Sequence, residues 1–506
     1  MFSGKSEQWK MVARALKRPL NHQWADADSV VRIVSDPSCR QGFRQEVIAP
    51  VGEILGKELP SDWEYTFDFG RYCVGYPVIV LDYHGIFDAP FRLEYKLAET
   101  PYECQFDFAE PGLCSLSRSW LQDGSLVLDE PASEIRFSRR GAFRFLTLKS
   151  VSNSNAYKAV LKGIRCDMVS AADFSQIPAV EPDSLDRRID RIGLITLASC
   201  MQDVFEDGPK RDRRLWLGDL RIQALANYNS FRNFNLVKRC LYLFAAAADP
   251  QTGQIPGCIY RDHPHLQGGC FIDDFAVLFG DILLDYIIQS NDVETGHDLF
   301  EISLHQCRLA LENFESGCFK DTKKHWLFVD WRDGLQKECA EHCTVIYGMK
   351  RVYQLAEYLG CEDRLTEYPN LIRILQKNGF EKWYDAKQGC FVANGQSSYA
   401  SQIWAAYAGL LPEKETVELL IRMLNSKRFL APGGPFLYNQ LILVLTRYGL
   451  QQKARDVVRN YWGKMIESGA DTFWEFFIPE NPMYSAYGNA AINSHCHAWS
   501  TPVIRI

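Results

Sequence analysis

The feature that most constrains the fold is a change of hydrophobic periodicity near residue 180. Before this point, apolar and polar residues often alternate in runs rich in β-branched and aromatic side chains, such as residues 63–69, 77–83 and 143–148. Turn-forming residues separate these runs, and many short strands at such spacing are typical of an antiparallel β-sandwich. We therefore predict an N-terminal β-sandwich domain over residues 1–180.

From residue 181 to residue 506 the hydrophobic period becomes that of an α-helix. Val345, Met349, Val352 and Leu359 fall on one helical face, and Gly360 is placed to end that helix. The roughly 320 residues leave room for about a dozen helices of average length. Six helical hairpins would form an (α/α)6 barrel, although periodicity alone does not separate this from another helical array. The predicted fold is thus multidomain, with a β-sandwich followed by an all-α (α/α)6 barrel.

Charge and cysteine content exclude several classes of protein. Lys and Arg number 56 against 63 Asp and Glu, and the net charge of −7 disfavours a nucleic-acid-binding protein. No run approaches the ~18 apolar residues of a membrane span, and the N-terminus lacks the apolar segment of a secretory signal. Sixteen dispersed cysteines predict reduced thiols and a cytoplasmic location. A homodimer is only a guess, because nothing in the chain marks an interface.

The first candidate functional cluster is the charged stretch over residues 206–219. It combines Asp207, Asp212 and Asp219 with Arg211 and Trp216. Carboxylates accept hydrogen bonds from sugar hydroxyls, guanidinium groups donate to them, and a tryptophan offers an apolar face to a sugar ring. A polyol-binding loop and a solvated loop of salt bridges both fit this composition.

The second candidate is Glu475, which stands among Phe473, Trp474, Phe476 and Phe477. Aromatic surroundings tend to raise the pKa of a carboxyl group, which suits acid–base catalysis. The alternative is a helix residue whose carboxylate points to solvent.

Three further clusters of polar residues could bind a ligand, but their residue patterns are less specific for one type of ligand. His495 and His497 flank Cys496, but no second pair follows at zinc-finger spacing, so hydrogen-bonded histidines are favoured over a metal site. Asp274 belongs to an acid-rich segment that could bind Mg²⁺ and a diphosphate, as in a helical isoprenoid cyclase, yet a second cation motif is missing. Residues 328–333 form another cluster of acids, tryptophan and arginine.

Taken together, these clusters resemble the bacterial α-L-rhamnosidases of glycoside hydrolase family 78, which are six-hairpin glycosidases. That family carries an Asp-x-x-x-Arg-Asp-Glu-Arg-x-Gly-Trp-x-Gly-Asp stretch, matched here at Asp207, Arg211, Asp212, Arg214, Gly218 and Asp219. Further matches follow in the family's order at Ile272–Phe275, Asp330–Trp331, Gly433–Pro435, Thr472–Glu475, His497 and Trp499. The resemblance covers most of the chain from about residue 60, where Phe67–Arg71 is similar to a strand of the family's β-sandwich.

One departure affects the catalytic assignment. The glutamate of the family's Arg-Asp-Glu-Arg stretch is its usual general acid, and Arg213 occupies that position here. Arginine stays protonated at neutral pH and cannot serve as a general acid. Either Asp212 supplies the proton, with Asp207 or Asp219 as the other candidates, or the chain is a catalytically silent sugar-binding relative.

The resemblance implies an inverting hydrolysis of terminal α-L-rhamnosides, with no metal or cofactor. Asp212 would be the general acid and Glu475 the general base. Arg211 and Arg213 would then have to be turned away from Asp212 or paired with Asp207 and Asp219. The residues expected to bind substrate are Asp207, Arg211, Trp216, Asp219, Asp274, Asp330, Trp331, Trp474, His497 and Trp499. A glycosidase of the same fold that acts on another sugar is the remaining alternative, because pocket shape decides the substrate.

Overall fold

Nine antiparallel strands form the N-terminal β-domain of the computed structural model, which describes residues 2–108, 114–130, 133–180, 183–260 and 270–504. The strands are β1 (Asn21–Asp26), β2 (Ser29–Ser35), β3 (Phe43–Pro50), β4 (Glu64–Gly85), β5 (Phe91–Ala98), β6 (Gln122–Leu128), β7 (Ser133–Arg136), β8 (Gly141–Ser150) and β9 (Tyr157–Ser170). Their main order is β1-β9-β4-β8-β5-β6, while β2 and β7 also pair with β4, and β3 pairs with β2.

The long strand β4 organises this domain. Residues 64–68 and 73–75 of this strand pair with β8, with a register shift between Asp68 and Cys73, and residues 75–85 pair with β9. Phe67 and Phe69 alternate along the strand and are fully buried in the core of the domain. The alternating apolar residues that the sequence analysis recognised in β4 therefore form part of the buried core of the β-domain.

Helices dominate the chain after residue 180. They are α3 (Leu185–Cys200), α4 (Leu217–Tyr228), α5 (Phe234–Ala246), α6 (Asp273–Val277), α7 (Phe279–Ser290), α8 (Val293–Leu311), α9 (Glu338–Leu359), α10 (Tyr368–Trp383), α11 (Tyr399–Ala408), α12 (Glu413–Leu424), α13 (Pro435–Arg447) and α14 (Gln451–Glu467). Two described helices come earlier in the chain: α1 (Ser3–Ala15) precedes the first strand, and α2 (Pro101–Gln105) lies within the β-domain. The predicted fold class, an antiparallel β-domain followed by a helix-rich region, is confirmed, and three pairs of two-residue strands lie among these helices in the part of the chain that the structure describes.

Helix α9 shows why its hydrophobic periodicity could be recognised in the sequence. The side chains of Val345, Met349, Val352 and Leu359 are buried along one face, and Gly360 ends the helix with a φ of 67°. Glycine adopts this left-handed conformation without the steric cost that a side chain brings.

Helix α1 departs from the two-part division of the sequence. Although it precedes the β-domain, it packs against α5 of the helical region. Trp9 is buried there, and its Nε1 donates a hydrogen bond to Asp298 at 3.0 Å. The first helix therefore extends the core of the helical region.

One fully buried and one partly exposed ion-pair cluster connect the β-domain to the helical region. The Lys210 ammonium lies 2.9 Å from Glu99 and 3.2 Å from Glu103, and all three side chains are fully buried. On β8, Arg144 contacts Asp68 of its own domain and Asp471 of the helical region. These contacts tie the two loops that carry the candidate catalytic residues to the β-domain.

Among the described helices, none is both long and apolar enough to span a lipid bilayer.

Candidate active site

A cavity of about 320 Å³ collects most of the predicted site residues. Its walls come from the loop before α4, the start of α6, the loop before α9, the segment after α14 and one loop of the β-domain. The lining residues are Leu116, Trp120, Asp207, Arg211, Asp212, Arg214, Trp216, Asp219, Phe275, Trp326, Phe328, Trp331, Glu475, Tyr487, His497 and Trp499.

Main-chain hydrogen bonds join the segments that bear the carboxylates. The Glu475 N–H donates to the Ser494 carbonyl at 2.9 Å, and the Ala498 N–H donates to the Asp207 carbonyl at 2.8 Å. Trp499 adds a bond from its indole N–H to the Glu475 carbonyl at 3.2 Å. Residues far apart in sequence are therefore held together by backbone geometry.

Glu475 is buried, and its carboxylate accepts hydrogen bonds from three described donors. The Arg211 guanidinium forms an ion pair with Oε2, the Ser494 N–H donates to the same oxygen at 3.2 Å, and the Tyr487 hydroxyl donates to Oε1 at 2.8 Å. A carboxylate offers about four acceptor positions. One position therefore remains for a water molecule.

Asp212 and Glu475 both contact the guanidinium group of Arg211, each through a different nitrogen. Arg211 Nη1 approaches Asp212 Oδ1 at 3.3 Å, while Nη2 contacts Glu475. The Asp212 side chain keeps 15% of its surface exposed, whereas those of Arg211 and Glu475 are almost fully buried. Asp212 is thus open to the cavity while its position relative to Glu475 is fixed.

Asp207 holds the loop around Asp212. Its two carboxyl oxygens accept from the backbone N–H groups of Asp212 at 3.4 Å and Arg214 at 3.2 Å. Burial raises the pKa of Asp207 well above its usual range, and the charge of Asp212 raises it further. This carboxyl therefore lines the cavity and also fixes the loop backbone.

The two arginines beside Asp212 behave differently. Arg213 turns away from the cavity, where Nε donates to the Lys210 carbonyl at 3.3 Å and Nη2 donates to Gln122 of the β-domain at 3.2 Å. Arg211 pairs with Glu475 rather than with Asp207 or Asp219. The expectation that both arginines turn away from Asp212 or pair with Asp207 and Asp219 therefore holds for Arg213 but is wrong for Arg211, which contacts Asp212 at 3.3 Å and pairs with Glu475.

Asp219 and His497 present unpaired polar atoms inside the cavity. Asp219 Oδ1 and His497 Nδ1 are 3.6 Å apart, and neither has a hydrogen-bond partner among the described residues. Burial raises the pKa of Asp219 well above its usual range, with Asp207 and Glu475 adding to the effect. Burial, then the Arg211 charge, lowers the pKa of His497 well below its usual range. A sugar hydroxyl placed here would satisfy both atoms.

Aromatic side chains form the apolar walls. Trp499 stacks on Phe328 with ring centres 5.6 Å apart, and Trp331 lies 5.9 Å from Tyr487. The indole N–H groups of Trp216 and Trp331 are buried without a described partner. Three of the four predicted tryptophans thus surround the carboxylates with faces for a sugar ring.

Three residues predicted to bind substrate do not line the cavity. Asp274 accepts the backbone N–H groups of Phe328 and Val329, each at 2.8 Å, because its side chain is turned toward the loop before α9. Burial raises its pKa to about 6. Trp474 lies with Phe477 and His495 behind the Glu475 backbone.

Asp330 is the third of these residues, and it positions Trp331. Its Oδ2 accepts the Gly433 N–H at 2.6 Å, and burial raises its pKa to about 7. Gly433 packs so closely that an added Cβ would lie 2.5 Å from the Trp331 carbonyl oxygen. Gly433 of the Gly-Gly-Pro segment is therefore needed for this close backbone approach.

Four lining residues, Leu116, Trp120, Trp326 and Tyr487, were not found from the sequence, and two of them show why. Tyr487 lies in an irregular segment, and its ring packs 4.3 Å from the Arg211 guanidinium carbon. Trp120 comes from the β-domain, so its contact with the cavity depends on how the domains pack. Neither position carried a periodic or motif signal.

Within the described ranges, no group of three or more His, Cys, Asp or Glu side chains is arranged to hold a metal ion. His342 is close in sequence to Cys339 and Cys343. Its Nε2 atom, however, forms a hydrogen bond with the Leu375 carbonyl at 2.9 Å.

The helical fold and the cavity define a six-hairpin glycosidase. Residues 183–505 match the model of the bacterial α-L-rhamnosidase six-hairpin glycosidase domain, and residues 27–168 match the N-terminal domain of the glycosyl hydrolase family 78 α-rhamnosidases. The chain belongs to the α-L-rhamnosidases of glycoside hydrolase family 78.

Solved structures agree with this assignment. A rhamnosidase from Klebsiella oxytoca with rhamnose bound is 34% identical, with a TM-score of 0.92 over 98% of this chain and 97% of that chain. The family 78 rhamnosidase of Bacillus sp. GL1 shares the fold at 19% identity and a TM-score of 0.75, over 91% of this chain and 48% of that one. A comparison with curated proteins gave no match.

Proposed function

We propose that the protein is a glycoside hydrolase that releases terminal α-L-rhamnose from rhamnosides with inversion of configuration. The observation that carries the proposal is the arrangement of Asp212 and Glu475 around Arg211, in a cavity that also presents the unpaired atoms of Asp219 and His497. The rhamnose bound to the 34%-identical Klebsiella relative supports the choice of sugar.

The spacing of the two carboxyl groups is compatible with inversion, which the family resemblance implies and the anomer of the first product tests. Since both arginine nitrogens belong to one planar guanidinium, the contacted oxygens of Asp212 and Glu475 lie within roughly 8 Å of each other. Inverting glycosidases separate their carboxyl groups by about 6.5–9.5 Å, which leaves room for a water molecule. The limit of roughly 8 Å between the Asp212 and Glu475 oxygens is compatible with the separation found in inverting enzymes.

In the proposed reaction, Asp212 donates its proton to the glycosidic oxygen as the C1–O bond breaks. A water molecule at the free acceptor position of Glu475 attacks C1 from the opposite face and gives its proton to Glu475. Asp219 and His497 bind sugar hydroxyls, and Trp331 and Trp499 pack on the ring. Arg211 aligns both carboxyl groups.

Hydrolysis of p-nitrophenyl α-L-rhamnopyranoside by wild type, Asp212→Asn and Glu475→Gln tests the proposal. Each substitution should lower kcat at least ~100-fold, the scale of general acid–base catalysis. Asp333→Asn and Glu480→Gln are matched controls, because both residues are exposed. NMR of the first product formed should show the β-anomer of rhamnose.

Other outcomes select among the alternatives. Activity that survives in Asp212→Asn would assign the acid to Asp207 or Asp219. Rhamnose binding without wild-type turnover would show a silent sugar-binding protein, and turnover of a different glycoside would change the sugar. A first-formed α-anomer would contradict inversion.

We also propose a cytoplasmic location, supported by the thiols. All sixteen cysteines are free, including Cys258 and Cys270, whose sulfur atoms lie 3.9 Å apart. Thiols persist in reducing compartments.

A further inference from the structure

The hydrogen bonds of Glu475 leave an acceptor position free on one particular oxygen. Each oxygen of a carboxylate can accept about two hydrogen bonds. Oε2 accepts from the Arg211 guanidinium and from the Ser494 N–H at 3.2 Å, so both of its positions are occupied. Oε1 accepts from the Tyr487 hydroxyl at 2.8 Å, and no other described residue donates to it. The free position therefore lies on Oε1, beside the Tyr487 hydroxyl.

The Tyr487 hydroxyl is the donor in this bond. Burial, and next the charge of Glu475, raise the pKa of Tyr487 well above its usual value, so the phenol keeps its proton. A general base is ionised before the reaction and has no proton of its own to donate. Hydrogen bonds to an ionised oxygen are stronger than those between neutral groups. Tyr487 therefore occupies one of the two positions on Oε1.

The Tyr487 ring is held from several sides. It packs 4.3 Å from the guanidinium carbon of Arg211. The ring centres of Trp331 and Phe476 lie 5.9 Å and 5.6 Å from its own, and both contacts are edge to face. The Tyr487 carbonyl also accepts the Ser115 N–H of the β-domain at 2.8 Å. Both domains therefore fix the place of the hydroxyl.

We propose that Tyr487 is a positioning residue that selects the place of the nucleophilic water. Its hydroxyl occupies one position on Oε1, so a single position remains on the carboxylate where water can be held for attack on C1. Without the hydroxyl, Oε1 would offer two positions, and the water would divide between them. The inference deepens the function proposed above and rests on it, because it takes Glu475 as the general base.

Tyr487 neither gains nor loses a proton in the reaction. The C1–O bond breaks, and the leaving oxygen takes the proton of Asp212. The water oxygen bonds to C1, and one proton of the water passes to Oε1 of Glu475. Since Tyr487 sets the geometry of this attack, its loss should act on kcat and leave the binding of the sugar unchanged.

Tyr487→Phe tests this role, because it removes the hydroxyl and keeps the ring beside Arg211. The ring contacts are retained, so the variant should fold. On p-nitrophenyl α-L-rhamnopyranoside, kcat should fall about 10-fold, the scale of a lost hydrogen bond to a charged group. KM should stay near the wild-type value, because Asp219 and His497 still bind the sugar.

A second substrate separates a defect in the base from a defect in the acid. The leaving group of α-L-rhamnosyl fluoride needs little protonation. Asp212→Asn should therefore keep more of its activity on the fluoride than on the aryl rhamnoside. Tyr487→Phe should lose the same factor on both substrates, since each requires attack by water. A loss confined to the aryl rhamnoside would assign Tyr487 to the acid and overturn the proposal.

Tyr286→Phe is the matched control. The Tyr286 hydroxyl also donates to a carboxylate, Oδ2 of Asp292, and the distance is again 2.8 Å, but neither residue lines the cavity. This variant loses the same kind of bond and should keep the wild-type kcat on both substrates. Urea unfolding of Tyr286→Phe and Tyr487→Phe measures what each bond contributes to stability alone.

Three results would overturn the inference while the wild type remains active. They are an unchanged kcat in Tyr487→Phe, an equal fall in kcat in Tyr286→Phe, and a raised KM with an unchanged kcat in Tyr487→Phe. The last of these would make Tyr487 a sugar-binding residue. Wild-type inactivity on both substrates would instead contradict the proposed rhamnosidase function, so the two failures are distinguishable.

Discussion

Arg211 forms a buried ion pair with Glu475, the residue that we propose as general base. The same guanidinium reaches Asp212, the proposed acid, at 3.3 Å. Burial opposes the charge of Arg211, but Glu475 and its other acidic neighbours outweigh it and raise the arginine's pKa well above the usual range. One cation therefore sets the relative position of both carboxyl groups.

Arg211→Met should lower kcat at least ~10-fold, because the acid and base lose their common partner. It should also destabilise the fold by about 3–5 kcal/mol, since Glu475 would be left as an unpaired buried charge. Activity assays and urea unfolding measure the two effects. Arg213→Met is the control: Arg213 points away from the cavity, so kcat should stay near the wild-type value, and a comparable kcat loss would contradict the positioning role.

Asp219→Ala should raise KM about 10-fold, because a sugar hydroxyl would lose a buried hydrogen-bond partner. Asp219→Asn should cost less. Burial raises the pKa of Asp219, so a neutral amide that keeps one acceptor oxygen is a closer replacement. Steady-state kinetics on p-nitrophenyl α-L-rhamnopyranoside would compare the two variants, with Asp333→Ala as the exposed control. Equal KM values for all of them would exclude Asp219 from sugar binding.

Regular elements and the order of motifs could be predicted from the sequence. Helix α9 carries its buried face at helical spacing and ends at Gly360, and β4 alternates around Phe67 and Phe69. Asp212 was noticed in a stretch rich in acids and arginines and Glu475 among aromatic residues, and the resemblance to a known family then suggested their roles. These signals are local, so they survive without knowledge of the packing.

The direction in which a side chain points could not be predicted. Asp274 and Asp330 sit within motif matches, yet each turns toward backbone N–H groups and away from the cavity. Trp120 reaches the cavity only because the β-domain packs on the helical region. Tyr487 contacts Glu475 from an irregular segment where neither helical nor strand periodicity applies. Side-chain direction and domain packing depend on contacts between distant residues.

Lys210→Met should destabilise the protein by about 3–5 kcal/mol, because Glu99 and Glu103 would lose their buried partner. Lys149→Met is the matched control. Lys149 pairs with Glu94 at 3.8 Å on the surface, where such pairs contribute about 0–1 kcal/mol. Urea unfolding at pH 7 measures both. Equal effects would show that the interdomain pair is no more important than a surface pair.

The same pair predicts how acid affects stability. Burial alone would raise the pKa of Glu99, but Lys210 and His495 lower it to about 2 from a usual value near 4.5. A carboxyl whose pKa is lowered on folding stabilises the protein above the unfolded pKa. Its contribution should therefore fall as the pH drops from about 4.5 toward 2. Thermal unfolding of wild type and Glu99→Gln over this range should converge if Glu99 is responsible.

Glu341 predicts the opposite dependence on pH. This α9 residue is fully buried, and neither carboxyl oxygen has a hydrogen-bond partner among the described residues. Burial raises its pKa well above the usual 4.5, with Asp274 and Asp273 adding to the shift. When a pKa is raised on folding, the stability that the neutral carboxyl contributes is complete below the unfolded pKa and is lost as the pH rises above it.

Glu341→Gln should therefore gain stability relative to wild type as the pH rises from about 4.5 to 8, because an amide has no proton to release. Melting temperatures of both proteins across this range would measure the difference. Glu357→Gln is the control on the same helix, since Glu357 is exposed and its substitution should leave the pH dependence unchanged. A constant difference between wild type and Glu341→Gln at every pH would mean that Glu341 is not held as a buried neutral acid.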